Sequence, residues 1–481
     1  MYKAYVTYVT NIRPAANADR LNACEVFGNT TIIDKTITED TLVLYLPSDG
    51  QISVEFGEKN NLFRRKDDAG NNVGGFIDPD KRNITAIRLR GNRSDGLVLP
   101  ISCLNYCFAH GDASIELRAG DVIDGLVNGH EICCKYIPRS NTRRGTVTEG
   151  NRTRKKKVAT APLFKEHADT EQLAYNLGAF KPGDEIEITL KMHGTSQRTG
   201  YLPVLQGYAD TWPCRVGNAL RHIMRKMGCY HGEDVHDGEP IYDYGYVSGT
   251  RRVVLENYEG GFYGDNQFRE QHSKTFEGKL WKGETVYYEV VGFTTSGAPI
   301  MSSASNSKLQ DKEFIKQYDK ETVFSYGCSF AGIALPQSDI YVYRMTMTNP
   351  DGEVVEYTPD FMRYRCEQMA VKTVPVFGKA IISPDRLHFI APDGYDHDYR
   401  ITDENVGEAV MKVVEEFYDG PDPVGKTHVR EGAVVRIVNR PKFAAYKHKN
   451  FSFKVLSNIA VADAEASGIT EGMSEDILAE M

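Results

Sequence analysis

Lys191-Met192-His193-Gly194-Thr195-Ser196 follows a run, Glu185 to Leu190, in which polar and apolar residues alternate as in a half-buried strand. The turn Lys181-Pro182-Gly183-Asp184 leads into that run, with the preset φ of proline beside the conformational freedom of glycine. A lysine therefore stands where a strand gives way to a glycine-containing turn, a place from which it can face a pocket. A lone lysine there is usually solvated, so its meaning depends on what accompanies it.

Four further stretches accompany it. Glu289 sits in a strand expected over Thr285 to Phe293, and Tyr341-Val342-Tyr343 reads as an aromatic strand. Glu431 opens a strand expected to run to Val438, and Lys447-His448-Lys449 follows. In this order the five stretches resemble the nucleotidyl-transferase motif series of ATP-dependent polynucleotide ligases. The form Lys-x-His-Gly-Thr is similar to the RNA ligase 2 branch, whereas DNA ligases and capping guanylyltransferases carry Asp two residues after the lysine and commonly Arg five after it. Here those places hold His193 and Ser196.

That resemblance implies roles. Lys191 would be the adenylated nucleophile, with His193 and Ser196 beside it. Arg251 or Arg252 would hold the nucleotide or a 5′-phosphate, Glu289 would bind ribose, and Tyr343 would stack on adenine. Glu431, with Arg436, would serve the metal and phosphate chemistry, and Lys447 with Lys449 would grip the α-phosphate. Tyr343 stands where Phe is more usual, Arg344 where an acidic residue is, and Ser196 where Asn is. The implied cofactors are ATP and Mg²⁺ or Mn²⁺, since a carboxylate such as Glu431 suits a hard cation that keeps several waters. A covalent lysine intermediate splits a difficult joining reaction into feasible steps. The cations gathered around it offset the charge developing on phosphate.

Upstream, residues 1–137 read as short strands, among them Tyr2 to Thr10 and Thr41 to Leu46, separated by turn clusters such as Asp68 to Gly75. Asn17-Ala18-Asp19-Arg20-Leu21 and Arg88-Leu89-Arg90-Gly91-Asn92-Arg93-Ser94-Asp95-Gly96-Leu97 look like OB-fold modules of the tRNA-binding type. Such a module precedes the ligase domain in Deinococcus-type nick-sealing RNA ligases, and the resemblance covers most of residues 1–457. Between the two parts, residues 138–160 form a basic linker. It carries Arg139, Arg143, Arg144, Arg152, Arg154, Lys155, Lys156 and Lys157 among Ser, Asn, Thr and Gly. This is either a solvated tether or a strip that tracks RNA phosphates.

The rest of the chain bounds the reading. The 481 residues, 41% hydrophobic and 26% charged, are enough for two or three cores and exclude a single small module. With 57 basic and 66 acidic residues the net charge is −9, so any polyanion site is local. No apolar run approaches a membrane span and the N-terminus lacks a signal-peptide layout, which leads us to expect no membrane partner and a cytoplasmic chain, in the host cytoplasm if viral. Nine cysteines, an odd number, fit a reducing compartment, and Cys103, Cys107, His110, Cys133 and Cys134 match no common zinc spacing. Arg215 to Met227 reads as a core helix with a solvated basic face, Asp403 to Tyr418 as another helix, and Phe451 to Leu456 as a strand. Gly420 to Thr427 has P-loop spacing, but a helix precedes it and a strand follows, and Pro421 and Pro423 remove amide donors.

The expected architecture is α+β. An OB-like barrel (1–137) and the linker (138–160) precede an ATP-grasp-like adenylyltransferase domain of antiparallel sheets with flanking helices (161–457) and an acidic tail (458–481). The expected activity is joining of 3′-OH and 5′-phosphate RNA ends by a monomer, at nicks in a duplex or an RNA–DNA hybrid. The alternatives are a DNA ligase or capping-type guanylyltransferase, and a non-catalytic RNA-binding protein that uses the barrel and linker.

Overall fold

The strand expected over Glu185–Leu190 forms at those bounds and is the centre of a seven-stranded sheet. Across that sheet the order is Glu171–Gln172, Ala444–Lys449, Gly432–Ile437, Glu185–Leu190, Val376–Ile382, Arg386–Ile390 and Asp396–Arg400. All neighbours are antiparallel except the first pair. The computed structural model describes residues 2–67, 70, 72–137, 159–168, 170–255, 258, 266–301, 303–322, 326, 337–402, 405–425 and 428–467. The basic strip from Arg139 to Lys157 lies outside the described residues.

The helix Val406–Glu415 covers one face of this sheet. Val406, Ala409, Val410, Val413 and Val414 recur at helical spacing and are buried against Ile186, Ile188, Leu387, Phe389 and Val435. Each such side chain contributes about 1.5–3 kcal/mol by leaving water.

A second, five-stranded antiparallel sheet has the order Pro240–Gly249, Thr195–Tyr208, Glu284–Gly292, Ser338–Thr348, Val354–Glu356. The helix Pro359–Met369 packs on it through Met362, Cys366 and Met369. Its start is set by Thr358, whose side chain accepts from the Phe361 amide, and by Pro359 at the first turn. Glu284 and Arg365 meet in this core as a fully buried pair at 2.8 Å.

The first segment is built mainly of short strands, with one short α-helix, Val54–Lys59, and 3-10 turns at Ile101–Cys107 and Ala113–Ile115. Ala4–Thr7, Val43–Leu46, Leu97–Pro100 and Val122–Ile123 form one antiparallel sheet, and two three-stranded sheets lie beside it. Among the described residues these pieces do not join into one closed barrel. The two stretches that suggested an OB module meet: Asn92 Nδ2 donates to the Ala16 carbonyl at 2.7 Å, and Arg90 donates to that of Asn17. Asp95 reaches across to Lys454 at 2.5 Å and latches the segment to the C-terminal helix. Cys103, Cys107 and Cys133 are buried in an apolar core, and His110 pairs with Glu116 instead.

Two expectations fail. Phe451 to Leu456 is the start of a helix, Phe451–Ser467, and the helix carries well into the stretch expected to be tail. Asn450 is the cause: its side-chain oxygen accepts from the Ser452 and Phe453 amides, capping the helix start. Phe453, Leu456 and Ala460 then fall on a buried face. The second failure is the helix Trp212–Lys226. It forms and ends at Gly228, which has φ +73°, but it has no buried residue, so its apolar face is not part of a core. No described helix is long and apolar enough to cross a membrane.

Candidate active site

Lys191 to Gly194 is the crossover between the two sheets. The chain leaves the seven-stranded sheet at Leu190 and enters the five-stranded one at Thr195. The Lys191 amide is pinned to the Gly432 carbonyl at 3.0 Å. Gly194 is required by close approach: a Cβ there would stand 2.3 Å from the Val290 carbonyl oxygen. Buried Arg269 donates to Thr195 Oγ1 at 2.7 Å and to the Ser196 carbonyl, fixing the start of the second strand.

Glu431 lies just before the strand Gly432–Ile437, next to the crossover, and is buried. Its Oε1 accepts from Lys191 Nζ at 2.6 Å and stands 3.5 Å from Lys449 Nζ, while Oε2 is 3.3 Å from His193 Nδ1. Burial pushes the Glu431 carboxyl up, but Lys191, Lys449 and the His193 hydrogen bond outweigh it, and the group is held well below the usual carboxylate range. Burial pushes His193 down despite Glu431, and its ring meets Phe453 edge-on at 4.6 Å. Lys447, half-buried on the same strand as Lys449, is lowered to about 7 by burial and by Lys449, Lys191 and Arg251.

The opposite wall belongs to the five-stranded sheet. Glu289 is paired in register with Ser196 on one side and Tyr341 on the other. Tyr343 is the extra residue of a bulge, because Tyr287 pairs with Arg344 and Tyr288 with Val342. A bulge re-aims a side chain, and the Tyr343 hydroxyl meets Ser196 Oγ at 2.9 Å. Burial and Glu289 push the Tyr343 hydroxyl up. Buried Arg198 bonds to the Thr250 and Arg251 carbonyls and so holds the loop that carries Arg251.

Lys191, His193, Arg251, Glu289, Tyr343, Glu431, Arg436, Lys447 and Lys449 all line one cavity of about 890 Å³. Ser196 stands behind Tyr343, and Arg252 is exposed and outside the lining. Arg436 reaches the cavity while its Nη2 donates to Glu356 at 3.3 Å and to the Tyr357 carbonyl at 3.0 Å, so it also ties the two sheets together.

Sequence reasoning missed several lining residues. His167 stacks on Tyr343 with centroids 5.4 Å apart, accepts from Arg344 at Nδ1, and is kept neutral by burial and the Arg344 charge. Arg344, which bonds to His167 and lies over the Tyr287 and Phe443 rings, is thus a support for the aromatic wall. Lys3, Lys81 and Lys135 of the first segment complete the cavity. They lie in no motif, and only the folded contact between segments brings them to it.

Two other features resolve. The P-loop-like turn closes on itself, because the Val424 and Gly425 amides donate to buried Asp422 at 2.8 Å each. Lys426 and Thr427 lie outside the described residues. Asp210, Cys214 and Asp237 are close enough to share an ion, but they lie at the foot of the helix Trp212–Lys226, outside the cavity. In the cavity, Glu431 and Glu289 supply the hard oxygen donors that suit magnesium or manganese.

No family model matches the chain, and no curated protein does. Among solved structures, the chain is similar to a Naegleria gruberi RNA ligase mutant with AMP and Mn, at 15% identity and a TM-score of 0.50. That match covers 94% of this chain and 98% of the other. Naegleria gruberi RNA ligase with PPi aligns at 15% identity and a TM-score of 0.49 over 94% of this chain and 97% of that one. At this identity the likeness establishes a shared fold.

Proposed function

We propose that the chain is an ATP-dependent RNA ligase that joins a 3′-OH to a 5′-phosphate, most effectively at a nick. The observation that carries this reading is the ion pair of Lys191 with Glu431, flanked by Lys449, inside a cavity whose far wall offers Tyr343 and Glu289. A nucleophilic amine, an aromatic face, two carboxylates and clustered cations are the parts an adenylate-transfer site needs.

In the first step Lys191 Nζ attacks the α-phosphorus of ATP. A P–N bond forms, an N–H bond breaks with its proton passing to solvent, the bond to the β-phosphate oxygen breaks, and pyrophosphate leaves. The RNA 5′-phosphate then displaces the lysine, which takes a proton back from solvent, forming a 5′–5′ anhydride with AMP. Finally the 3′-hydroxyl attacks that phosphate, its proton passing to solvent, and AMP departs. Throughout, Glu431 aims the Lys191 amine, Tyr343 stacks the adenine and Glu289 accepts from ribose. Lys447, Lys449 and Arg251 hold phosphate oxygens. A divalent cation, Mg²⁺ or Mn²⁺, would be held by Glu431 and would offset phosphate charge.

We assign residues 1–137, as an OB-like module, and the linker 138–160 to RNA contact, ahead of a ligase domain at 161–457. Lys3, Lys81 and Lys135 support this, since they extend the basic lining of the cavity toward the first segment. The test is transfer of label from ATP carrying a labelled α-phosphate. Wild type retains covalent label in the presence of Mg²⁺ or Mn²⁺ and Lys191→Ala does not; label on the variant overturns the assignment. Sealing of all-RNA, mixed and all-DNA nicks separates RNA ligase from DNA ligase, and labelling by GTP in place of ATP would reveal a guanylyltransferase.

A further inference from the structure

The helix Trp212–Lys226 is seated on its polar side. Asn218 Nδ2 and Cys214 Sγ donate to the Val235 carbonyl at 2.6 and 2.9 Å, and Arg225 pairs with Asp234. The opposite arc points to solvent: Trp212 is 76% exposed, Leu220 56%, Ile223 51% and Met227 62%. An amphipathic helix of a soluble protein normally turns this arc to a core. The helix also follows the part of its supporting strand that lies beyond the shared sheet, because Thr195–Tyr208 pairs with Glu284–Gly292 only as far as Gly200. The remaining eight residues, about 25 Å of strand, pair with Pro240–Gly249, rooted by Leu202 against Ala161 and Phe164 and leading outward to the helix.

Charge is distributed to match. The helix contains no Asp or Glu, and Arg215, His222 and Lys226 are exposed along one border of the apolar arc. Two acidic side chains of the return segment are engaged on the seated side, where Asp234 pairs with Arg225 and Asp237 accepts from the Thr211 amide at 2.9 Å.

We propose that this face docks on an anionic lipid surface, with Trp212, Leu220, Ile223 and Met227 in the headgroup–acyl boundary and Arg215 and Lys226 on lipid phosphates. A basic amphipathic helix with an outward apolar face and a tryptophan at its end has the features of helices that lie in that boundary without spanning it. A second copy is a poor occupant, since it would bring an equally cationic helix against this one. The stripe, one side of a helix about 22 Å long, is also far smaller than the roughly 800 Å² per partner of a stable protein interface. RNA would engage the cations and leave the apolar arc uncovered. The proposal rests on the helix alone and stands apart from the ligase reading.

The test uses the full chain with phosphatidylcholine vesicles, with and without about 30% phosphatidylserine. Wild type floats with the anionic vesicles, Trp212 emission shifts to the blue and is quenched by brominated lipid, and neither happens with phosphatidylcholine alone. Leu220→Glu with Ile223→Glu lowers the bound fraction at least tenfold while covalent labelling by ATP and far-UV circular dichroism are unchanged. Arg215→Glu with Lys226→Glu lowers it at least threefold. Absence of wild-type flotation, or flotation undiminished in Leu220→Glu with Ile223→Glu, overturns the proposal. So does a wild-type dimer in light scattering that the same variant makes monomeric, which assigns the face to a second copy. RNA affinity that falls tenfold in the variant without any lipid binding assigns it to RNA.

Discussion

Lys191 Nζ lies 2.6 Å from Glu431 Oε1, and that carboxylate is only 4% exposed. Glu431→Gln keeps the shape and removes the charge, leaving Lys191, Lys447 and Lys449 without their shared counter-ion. Covalent labelling by ATP is expected to fall by about two orders of magnitude or more, the scale of losing a positioned electrostatic group. Single-turnover labelling measures it. Because the folded carboxyl is held below its unfolded value, its stabilising effect is present above the unfolded pKa, near ~4.3. It is lost as pH falls toward the folded value. Wild type should therefore lose Tm more steeply than Glu431→Gln on acidification below about pH 4.

Lys447, lowered to about 7, should make nucleotide binding sensitive to pH. The ammonium form, the one to which the proposed function gives the phosphate contact, prevails below that value and the neutral amine above it, so affinity for a non-hydrolysable ATP analogue should weaken from pH 6 to pH 8.5. A bound anion moves the midpoint upward. Lys447→Arg stays charged throughout, and calorimetric titrations of this variant should show a flatter pH profile. An equally sloped profile in the variant would remove Lys447 from the phosphate contact.

Tyr343→Ala should weaken ATP binding by roughly five- to 150-fold, the range of about 1–3 kcal/mol for base–aromatic stacking. Tyr343→Phe keeps the ring and loses only the Ser196 contact, so its affinity should stay near wild type. His167→Ala removes the ring stacked on Tyr343 and should have a smaller effect, seen as a few-fold rise in the dissociation constant.

Glu284→Ala should cost about 3–5 kcal/mol of stability, because it strands the Arg365 guanidinium in the core. Urea unfolding followed by circular dichroism checks this. An accompanying Arg365→Met change should restore much of the loss, since replacing a buried pair by apolar groups is often neutral.

Much of this site could be read along the chain. Alternation marked Glu185–Leu190, helical spacing of valines marked Val406–Glu415, and Lys191, Glu431 and Lys449 stand in stretches that meet in space. What escaped was decided by one local cap and otherwise by tertiary contact. Phe451 to Leu456 has strand-like composition, and the Asn450 cap starts a helix instead. The helix Trp212–Lys226 has the pattern of a core helix, and its place beyond the shared part of the sheet leaves it without a core. His167 and Lys81 carry no motif, since each acquires its place from a partner far away in sequence.

The cavity wall is drawn from Tyr2 and Lys3 at one extreme and from Val461 and Ala462 at the other. During synthesis on a ribosome, then, the chamber has no complete perimeter until the C-terminal helix has emerged and Lys454 has found Asp95. A nascent chain that has already exposed Lys191 still lacks Glu431, Lys447 and Lys449 for more than two hundred codons' worth of translation, roughly ten to fifty seconds at ordinary elongation rates. On the proposed reading, nucleotide capture waits until the C-terminal helix closes the chamber.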